Sequence, residues 1–313
     1  MISIALCTYN GEKFLQEQLA SIAAQSLRPD ELVVCDDLSN DNTIAILSEF
    51  KTWAQFAVHI HRNESNLGPV KNFEKAISLC RGNYIFLCDQ DDVWLPNKIE
   101  LSLQKIVQME AVYGADVPIM LHTDAKVVDA QLNLIAESLW HFQQSNPAKG
   151  KILNRLLPQN TATGCTIVIN EALKKKALPI ADDAMMHDWW LALVAVTFGH
   201  LEYFHAPLIL YRQHDSNDTG AKSWGALAAL KLLLNFYSRA ETLKRNELVS
   251  RVIKQAQAFA DQYRAALSPR QAAMIAAFVE LPARSWLIRK YLVVKYGLYY
   301  HGTLRNIGSL LLK

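Results

Sequence analysis

The sequence lacks the features that would place it in several large classes of protein. A formal charge of +2 over 313 residues gives neither the basic excess of a nucleic-acid-binding chain nor an acidic tail. There is no internal repeat and no low-complexity tract, and the 12 glycines and 10 prolines are scattered. These absences exclude a fibrous or disordered chain and argue against nucleic acid as a partner, which leaves a globular protein with a sizeable core.

Paired cysteines and uninterrupted apolar segments are also missing. The five cysteines are odd in number and form no CxxC pair, so we expect buried, reduced thiols rather than disulfides or zinc ligands. The most apolar stretches, 224–236 and 281–300, contain basic residues, so neither is expected to span a bilayer. A strand pattern begins at Ile2, so export through a signal peptide is not expected. Together these features predict a cytoplasmic protein.

Short apolar runs alternate with helical patterns in the first part of the chain. The expected strands are 2–7, 31–35, 57–61 and 84–88, and the expected helices are 12–24, 42–53 and one that opens near Pro69. This alternation predicts an α/β fold with a mostly parallel sheet and helices on both of its faces. Ligands of such a sheet bind beyond the carboxyl ends of its strands.

The pattern changes along the rest of the chain. A long helix after Pro96 leads to an apolar strand at 119–121, which we expect to end at His122, Thr123 and Asp124. Further elements are expected at 161–169 (strand), 188–198 (helix) and 208–211 (strand). From about Ser223 the pattern is wholly helical, which predicts a first domain at 1–220 and a helical region at 221–313.

An acidic cluster follows the fourth expected strand. Asp89, Asp91 and Asp92 close an almost entirely apolar run, and carboxylates gathered at one point repel each other unless a cation or hydrogen-bond donors offset them. Hard oxygen ligands suit Mg²⁺ or Mn²⁺, and an ion bound there could bridge two phosphates of a nucleotide. On the tetrapeptide alone, acids that cap the following turn and face solvent are an equal alternative.

Several ordered motifs within residues 1–215 resemble the family 2 glycosyltransferases, inverting enzymes of the GT-A fold. The motifs are Ala5-Leu-Cys-Thr-Tyr-Asn-Gly, Val33-Val-Cys-Asp-Asp-Leu-Ser-Asn-Asp-Asn-Thr43, Asn66-Leu-Gly, Asp89-Gln-Asp-Asp-Val-Trp94, His187-Asp-Trp-Trp190 and Tyr211-Arg-Gln-His214. Their wording is most similar to bacterial rhamnosyltransferases and related enzymes of surface polysaccharide synthesis, such as O-antigen.

The resemblance implies a nucleotide site on the first strand ends. Thr8, Tyr9 and Asn10 would form the loop that wraps the nucleotide, and Asp36 would accept the N3–H of uracil or thymine, which cytosine lacks. Gly68 and Lys71 would lie near the base, although a solvated helix lysine is as good an explanation of Lys71. Asp37 and Asp41, with Ser39 and Asn42, are better explained as turn and N-cap residues of the next helix.

The resemblance also implies a metal site and a catalytic base. Asp89, near the ribose, and Asp91 match the family's DxD motif, with Asp91 on Mn²⁺ or Mg²⁺ and His214 as a further ligand. Asp188 would be the general base that activates the acceptor hydroxyl, a role compatible with a position at a helix N-terminus. Many family members have Glu-Asp here, whereas this chain has His187-Asp188. This departure puts in doubt only the role of His187.

The remaining candidate residues would surround the sugars. Thr163, Gly164 and Cys165 match the loop that lies under donor and acceptor, and Trp189 and Trp190 offer faces for a sugar, although at least one is expected in the core. Asp124 is the next candidate base, and Arg212 either pairs a phosphate or braces the acidic cluster. The implied reaction is a single displacement with inversion, from a UDP- or dTDP-sugar such as dTDP-rhamnose to a hydroxyl of a glycan or lipid-linked oligosaccharide.

The C-terminal region has a distinct composition. No acidic residue follows Glu280, while six basic residues do: Arg284, Arg289, Lys290, Lys295, Arg305 and Lys313. Interleaved aromatic residues make this pattern typical of a helix that lies on an anionic membrane surface. A basic helix that packs on its own protein or on a second subunit is an equal alternative.

Two other functions fit part of the pattern. A sugar nucleotidyltransferase would share the substrate and the sheet, but it needs a Gly-rich, Arg-containing loop after the first strand, where this chain has Thr8-Tyr-Asn-Gly-Glu. A non-catalytic nucleotide-sugar or glycan-binding module would not need Asp89, Asp91, Asp188 and His214 together. Both alternatives are therefore weaker than a sugar transferase.

Overall fold

A computed structural model describes residues 1–215 and 239–300 of the chain. The apolar stretch at 224–236 and the basic residues Arg305 and Lys313 lie outside the described residues. The chain divides into two compact units. The first comprises residues 1–139, 162–180 and 186–220, and the second comprises 140–161, 181–185 and 221–313.

A mixed sheet organises the first unit. Its strands are β1 (Ile2–Thr8), β2 (Glu31–Asp36), β3 (Ala57–Arg62), β4 (Tyr84–Cys88), β5 (Val93–Trp94), β6 (Ile119–Val128), β7 (Leu134–Ala136), β8 (Ile167–Asn170) and β9 (His200–Arg212). Among the described residues the order is β3-β2-β1-β4-β8-β6-β9-β5, with β7 paired to β6. The β3-β2-β1-β4 part is parallel, and β8 runs antiparallel to both β4 and β6. The expected α/β fold is confirmed.

Helices connect the strands and continue to the end of the described chain. They are α1 (Leu15–Ala23), α2 (Thr43–Trp53), α3 (Gly68–Leu79), α4 (Lys98–Tyr113), α5 (Leu139–Phe142), α6 (Pro147–Gly150), α7 (Leu153–Leu156), α8 (Glu171–Ala177), α9 (His187–Phe198), α10 (Arg239–Gln262), α11 (Pro269–Glu280) and α12 (Trp286–Tyr296). In the second unit, α11 buries Ile275 and Phe278. No described helix is both long and apolar enough to cross a membrane.

Three strand predictions were wrong in their limits. The strand expected at 208–211 is the end of β9, which begins at His200. β6 continues to Val128, so His122 and Thr123 are fully buried within the strand instead of standing at its end. The strand expected at 161–169 is instead a loop, a short 3₁₀ turn at Gly164–Thr166 and then β8. In all three places the apolar signal was correct, but pairing with neighbouring strands, which a single sequence does not show, fixed where the strand begins and ends.

The sheet topology brings distant segments to one edge. Thr8 lies opposite Asp36, and Leu6 lies opposite Cys88, so the ends of β1, β2 and β4 meet. Because β8 is antiparallel to β4, the residues that precede β8 reach the same edge. β5 starts directly after the acidic loop and pairs with the end of β9, which brings residues 211–214 beside residues 91–92.

Candidate active site

The acidic loop after β4 faces the end of β9 through a carboxylate and a histidine. Asp91 Oδ2 lies 3.0 Å from His214 Nε2, and the two side chains are only 17% and 8% exposed. The His214 ring also packs on Phe14, with 4.6 Å between ring centroids. The two residues that the sequence proposed as metal ligands, 123 positions apart, are therefore in direct contact.

Arg212 fastens this loop to the rest of the first unit. Its guanidinium, 1% exposed, donates to the carbonyls of Asp91 (2.8 Å) and Ala130 (2.7 Å), pairs with Glu17, and lies over the Phe14 ring. Its backbone N–H donates to Asp92 Oδ1 at 3.0 Å. The sequence left two roles open for Arg212, pairing with a phosphate or bracing the acidic cluster, and the structure shows that it braces the acidic loop. The assignment of Arg212 to the sugar site was wrong, because its guanidinium is buried in these contacts.

Asp92 is the deepest of the three loop carboxylates. Burial and the neighbouring Asp91 raise its pKa to about 7. Its Oδ2 is buried and has no hydrogen-bond partner among the described residues. A buried carboxylate oxygen without a donor is costly, so a cation at this loop would relieve it.

The oxygen-rich donor set fits a hard divalent cation. Ligand atoms of Asp89, Asp92 and Cys165 lie within 4.8 Å of one another. Asp91, which contacts His214, lies between Asp89 and Asp92 in the sequence. Burial and Asp92 hold the pKa of the Cys165 thiol well above its usual range, so this thiol stays protonated and is a poor ligand. Asp89 and Asp92 are therefore the oxygen donors that the structure brings together, and Asp91 and His214, which contact each other, are the further ligands that the resemblance implies for Mn²⁺ or Mg²⁺.

The strand ends of β1 and β2 are joined through Asp36. Its carboxylate is fully buried and accepts from Thr8 Oγ1 (2.8 Å), Ser39 N (2.9 Å) and Ser39 Oγ (2.5 Å). The contact of Asp36 with a pyrimidine base stays a prediction. In this structure the Asp36 carboxylate instead joins the end of β1 to the loop after β2, through its hydrogen bonds with Thr8 and Ser39.

The loop after Thr8 is shaped by residues from both neighbouring strand ends. Tyr9 is half exposed, and its backbone exchanges two hydrogen bonds with the Gln90 amide, at 2.8 and 3.0 Å. Asn10 takes a left-handed conformation with φ of 48°, and its N–H donates to Ser39 Oγ at 2.9 Å. Gln90, between the two DxD aspartates, thus ties the acidic loop to the expected nucleotide loop.

Asp37 does not cap α2, so that prediction was wrong. Its buried carboxylate accepts from Asn63 Nδ2 (2.8 Å), Leu67 N (2.7 Å) and Gly68 N (2.9 Å), which holds the entry to α3. All three donors are distant in sequence, so no local capping pattern could reveal them. Asp41, in contrast, accepts from the backbone of Thr43 and Glu12, both at 3.0 Å, as expected of a turn residue.

Lys71 is engaged within the protein. Its ammonium donates to Glu74 Oε2 at 2.8 Å and to the carbonyl of Ile180 at 2.6 Å. Gly68, at the start of α3, has φ of +76°, a conformation that glycine adopts without strain. The structure thus places Lys71 in contacts that join α3 to residue 180, and a contact with phosphate or ribose stays a prediction.

Asp188 lies in the first turn of α9, beside the loop before β8. Its carboxylate accepts from Trp189 N at 2.5 Å, and burial raises its pKa to about 7 although Trp189 and Gly164 N–H groups oppose the shift. A Cβ on Gly164 would stand 2.9 Å from His187 Nε2, so a larger residue there would force the imidazole or the loop to shift. A partly exposed carboxylate with a pKa near neutrality suits a general base.

His187, next to this base, is a buried neutral imidazole. It stacks on Phe73 with 3.8 Å between centroids, and burial lowers its pKa to about 3. Neither of its ring nitrogens has a hydrogen-bond partner among the described residues. His187 therefore packs behind the Gly164 loop and does not supply a charge.

Three expected sugar-site residues belong to the interior. Trp190 is fully buried and donates from Nε1 to the Ala177 carbonyl at 3.1 Å, and Trp189 is only 9% exposed. A sugar-stacking role was therefore wrong for Trp190, as the sequence allowed for one of the pair. Asp124 lies within β6, where it accepts from Ala125 N and Ser138 Oγ, so it is 7% exposed and poorly placed to act as a base.

Sequence reasoning missed Lys98, the first residue of α4. It is fully buried, donates to the Cys165 carbonyl at 3.2 Å and lies 4.7 Å from the Trp94 ring centroid. Burial lowers its pKa to about 8. The buried Lys98 ammonium lies beneath the acidic loop and joins that loop to residues 163–165. In the sequence, the only sign of this role was that Lys98 follows Pro96 by two residues, at the start of a helix.

The family model for glycosyl transferase family 2 matches residues 3–167. The chain therefore belongs to this family, and it is a glycosyltransferase. It is 32% identical over 256 residues to the dTDP-rhamnosyl transferase RfbG of Shigella flexneri, which covers 76% of this chain and 82% of the relative. The family resemblance noted from the motifs is confirmed.

Solved structures share the fold. TarS 1-349 of S. aureus in complex with UDP-GlcNAc has a TM-score of 0.55 at 16% identity, covering 95% of this chain and 92% of that one. The mannosyltransferase PcManGT from Pyrobaculum calidifontis, in complex with GDP-Man and Mn²⁺, has a TM-score of 0.53 at 17% identity, covering 95% and 86%. The GT-A architecture expected from the sequence is thereby confirmed.

Proposed function

We propose that this glycosyltransferase moves a sugar, with inversion, from a UDP- or dTDP-sugar to a hydroxyl of a glycan or lipid-linked oligosaccharide in bacterial polysaccharide synthesis. The observation that carries the proposal is the contact of Asp91 with His214 in the acidic loop after β4, at the sheet edge where Thr8, Tyr9 and Asn10 also lie. The similarity to a dTDP-rhamnosyl transferase supports a thymidine nucleotide, and UDP stays in the proposal because uracil carries the same N3–H as thymine for Asp36 to accept.

Asp89, Asp91 and His214 would hold a Mn²⁺ or Mg²⁺ ion, as the PcManGT complex with Mn²⁺ also suggests. When bound, such an ion offsets the negative charge of the nucleotide diphosphate. Arg212 and Lys98 hold the acidic loop in place from behind, so the three ligand side chains are positioned before substrate arrives.

Asp188 is the proposed base. The acceptor oxygen forms a bond to the anomeric carbon, its proton passes to the Asp188 carboxylate, and the bond to the diphosphate breaks in the same displacement. The pKa of about 7 leaves a substantial fraction of Asp188 ionised at neutral pH while keeping it basic enough to take a proton. The Gly164 loop, packed on His187, keeps this carboxylate in place.

The reaction is proposed for the cytoplasm, because all five cysteines are free and four of them are buried. No disulfide would have to form for this chain to fold.

Nucleotide binding tests the donor assignment. Thermal unfolding is followed with UDP, dTDP, GDP and CDP, each with and without Mn²⁺, because a ligand at 100 times its Kd adds about 2.7 kcal/mol to the stability. We expect UDP or dTDP to raise the Tm most, and Mn²⁺ to enlarge the effect. Tighter Mn²⁺-dependent binding of GDP or CDP would contradict the donor class, and transfer assays with the nucleotide-sugar that binds would then define the activity.

A further inference from the structure

The last described helix, α12, exposes a continuous apolar stripe. Leu287, Tyr291 and Val294 are 71%, 61% and 64% exposed, and none of the eleven residues of α12 is buried. Their spacing of four and three residues places them on one face of the helix. Single exposed apolar residues are ordinary on protein surfaces, but a stripe along a helix calls for a partner.

Lysines border this stripe on both sides. At about 100° per residue, Lys290 lies at one edge of the face and Lys295 at the other. The Lys290 ammonium lies 3.5 Å from the Trp286 ring centroid, and the Lys295 ammonium lies 5.4 Å from that of Tyr291. Every charged residue of α12 is basic, and the sequence has no acidic residue after Glu280.

We propose that this face, here called the α12 stripe (Leu287, Tyr291 and Val294 with Lys290 and Lys295), docks on the surface of an anionic lipid bilayer. Eleven residues rise only about 16 Å, roughly half of a hydrocarbon core, so α12 lies along the surface and does not span it. The apolar side chains enter the boundary between headgroups and acyl chains, while the lysine stems run along the stripe and place their ammonium groups at the phosphates.

Charge and size favour a lipid surface over a second copy of the chain. Two stripes packed face to face would bring the lysines of one copy towards those of the other, and like charges oppose such a contact. A stable protein interface uses roughly 20–30 residues on each side, far more than the five of the stripe. An anionic bilayer, in contrast, supplies negative charge along the whole helix and accepts a narrow apolar strip.

Vesicle sedimentation of the full chain tests this inference. The vesicles are phosphatidylcholine with or without phosphatidylglycerol, at low and at high salt. We expect binding to the anionic vesicles that weakens at high salt. The Lys290→Gln/Lys295→Gln variant should bind about 25-fold more weakly, since each lysine near such a surface contributes roughly a fivefold effect. The Leu287→Ser/Tyr291→Ser/Val294→Ser variant should lose at least tenfold, because it loses most of the inserted apolar area.

A matched control places serine at exposed apolar positions of the other unit. Val107 and Val112 on α4 are 43% and 74% exposed, and Val107→Ser/Val112→Ser should bind vesicles like the parent chain. Circular dichroism and nucleotide binding confirm that each variant is folded. Equal partition of the triple serine variant and the parent chain would overturn the proposal, as would equal binding to neutral and anionic vesicles.

Light scattering separates a protein partner from a lipid one. If the parent chain self-associates and the triple serine variant does not, the stripe is a subunit contact and the membrane proposal fails. Because vesicle binding is measured without a sugar donor, its outcome is independent of the proposed transfer reaction. Transfer to a water-soluble acceptor should be unchanged in the stripe variants.

Discussion

Two acid-rich strand ends of the sheet use their carboxylates in opposite ways. At the end of β2, Asp36 and Asp37 each receive three hydrogen bonds from donors of the chain, largely backbone N–H groups and hydroxyls. At the end of β4, Asp91 contacts His214, and one oxygen of the buried Asp92 has no partner among the described residues. The first group has its acceptors filled by the chain, whereas the second crowds three carboxylates together and leaves Asp92 Oδ2 without a hydrogen bond from the described residues, although His214, Arg212 and Lys98 lie close by.

The difference separates carboxylates that shape loops from those able to bind a cation. Hydrogen bonds to a carboxylate stabilise its charged form, so the β2 group gains little from an ion. The crowded β4 group instead keeps Asp92 at a pKa of about 7, because burial and Asp91 both disfavour its charge. A motif of aspartates is therefore informative only together with the donors that surround it.

Removal of Asp91 should have the largest effect. In Asp91→Ala, turnover should fall by roughly a thousandfold, since metal stabilisation of a developing charge is worth several kcal/mol. Isothermal titration with Mn²⁺ should show a large loss of affinity, while the circular dichroism spectrum stays unchanged.

Asp116→Ala is the control for this change. Asp116 is exposed in the loop after α4, and its removal should alter neither turnover nor Mn²⁺ affinity. The parent enzyme should stop in excess EDTA and recover on addition of Mn²⁺ or Mg²⁺. Full activity in EDTA would show that the mechanism needs no metal. It would also contradict the distinction between the β2 and β4 strand ends.

Asp188 extends the comparison of the two strand ends to a third kind of carboxylate, because its pKa is raised although it lies in neither strand end. Asp188→Asn keeps the size of the side chain and removes the proton acceptor, so turnover should fall by roughly a hundredfold or more. Nucleotide binding and folding should survive. In the parent enzyme, kcat/KM should rise with pH through about 7 as Asp188 loses its proton, and the variant should lack this rise.

A wild-type rate in Asp188→Asn, or a loss of activity that follows from unfolding alone, would contradict the assignment. Asp188→Glu is the matched variant, because it restores the carboxylate at a shifted position. It should retain the dependence on pH at a reduced rate, which a purely structural role of Asp188 would not produce.

The local pattern predicted the first half of the fold closely. β4 was predicted with the bounds it has, and α3 opens at Gly68, directly before Pro69. Here each strand is followed by a helix, so the change from strand to helix pattern marks the strand limits, although β4 pairs with β1 and not with β3. β6, β8 and β9 pair across long separations, and their limits could not be read from apolar runs alone.

The sequence predicted the site residues that belong to a family motif. It did not predict the roles of residues whose hydrogen-bond partners are distant in sequence. Asp91 and His214 came from motif wording, and their contact follows from β5 pairing with β9. Asp37 was misassigned because its donors lie 26–31 residues away, beyond any capping pattern. Lys98 was overlooked because a lysine at the start of a helix is ordinarily solvated, and only the packed structure shows that it is buried.

The smallest expected effect concerns Asp41, which belongs to the structural side of the comparison. Asp41→Ala removes the acceptor for the Thr43 and Glu12 N–H groups, so the free energy of unfolding should fall by about 1 kcal/mol, as for the loss of a helix cap. Those hydrogen bonds lower the pKa of Asp41 despite its partial burial, so its contribution is present above pH 3.8 and is lost only as the pH falls through the lower folded value. Urea unfolding of parent and variant should therefore give the same difference at pH 5 and at pH 7, with Mn²⁺ affinity unchanged. A variant that lost Mn²⁺ affinity as Asp91→Ala does would show that the two strand ends act as one metal-binding unit, and the distinction drawn between them would fail.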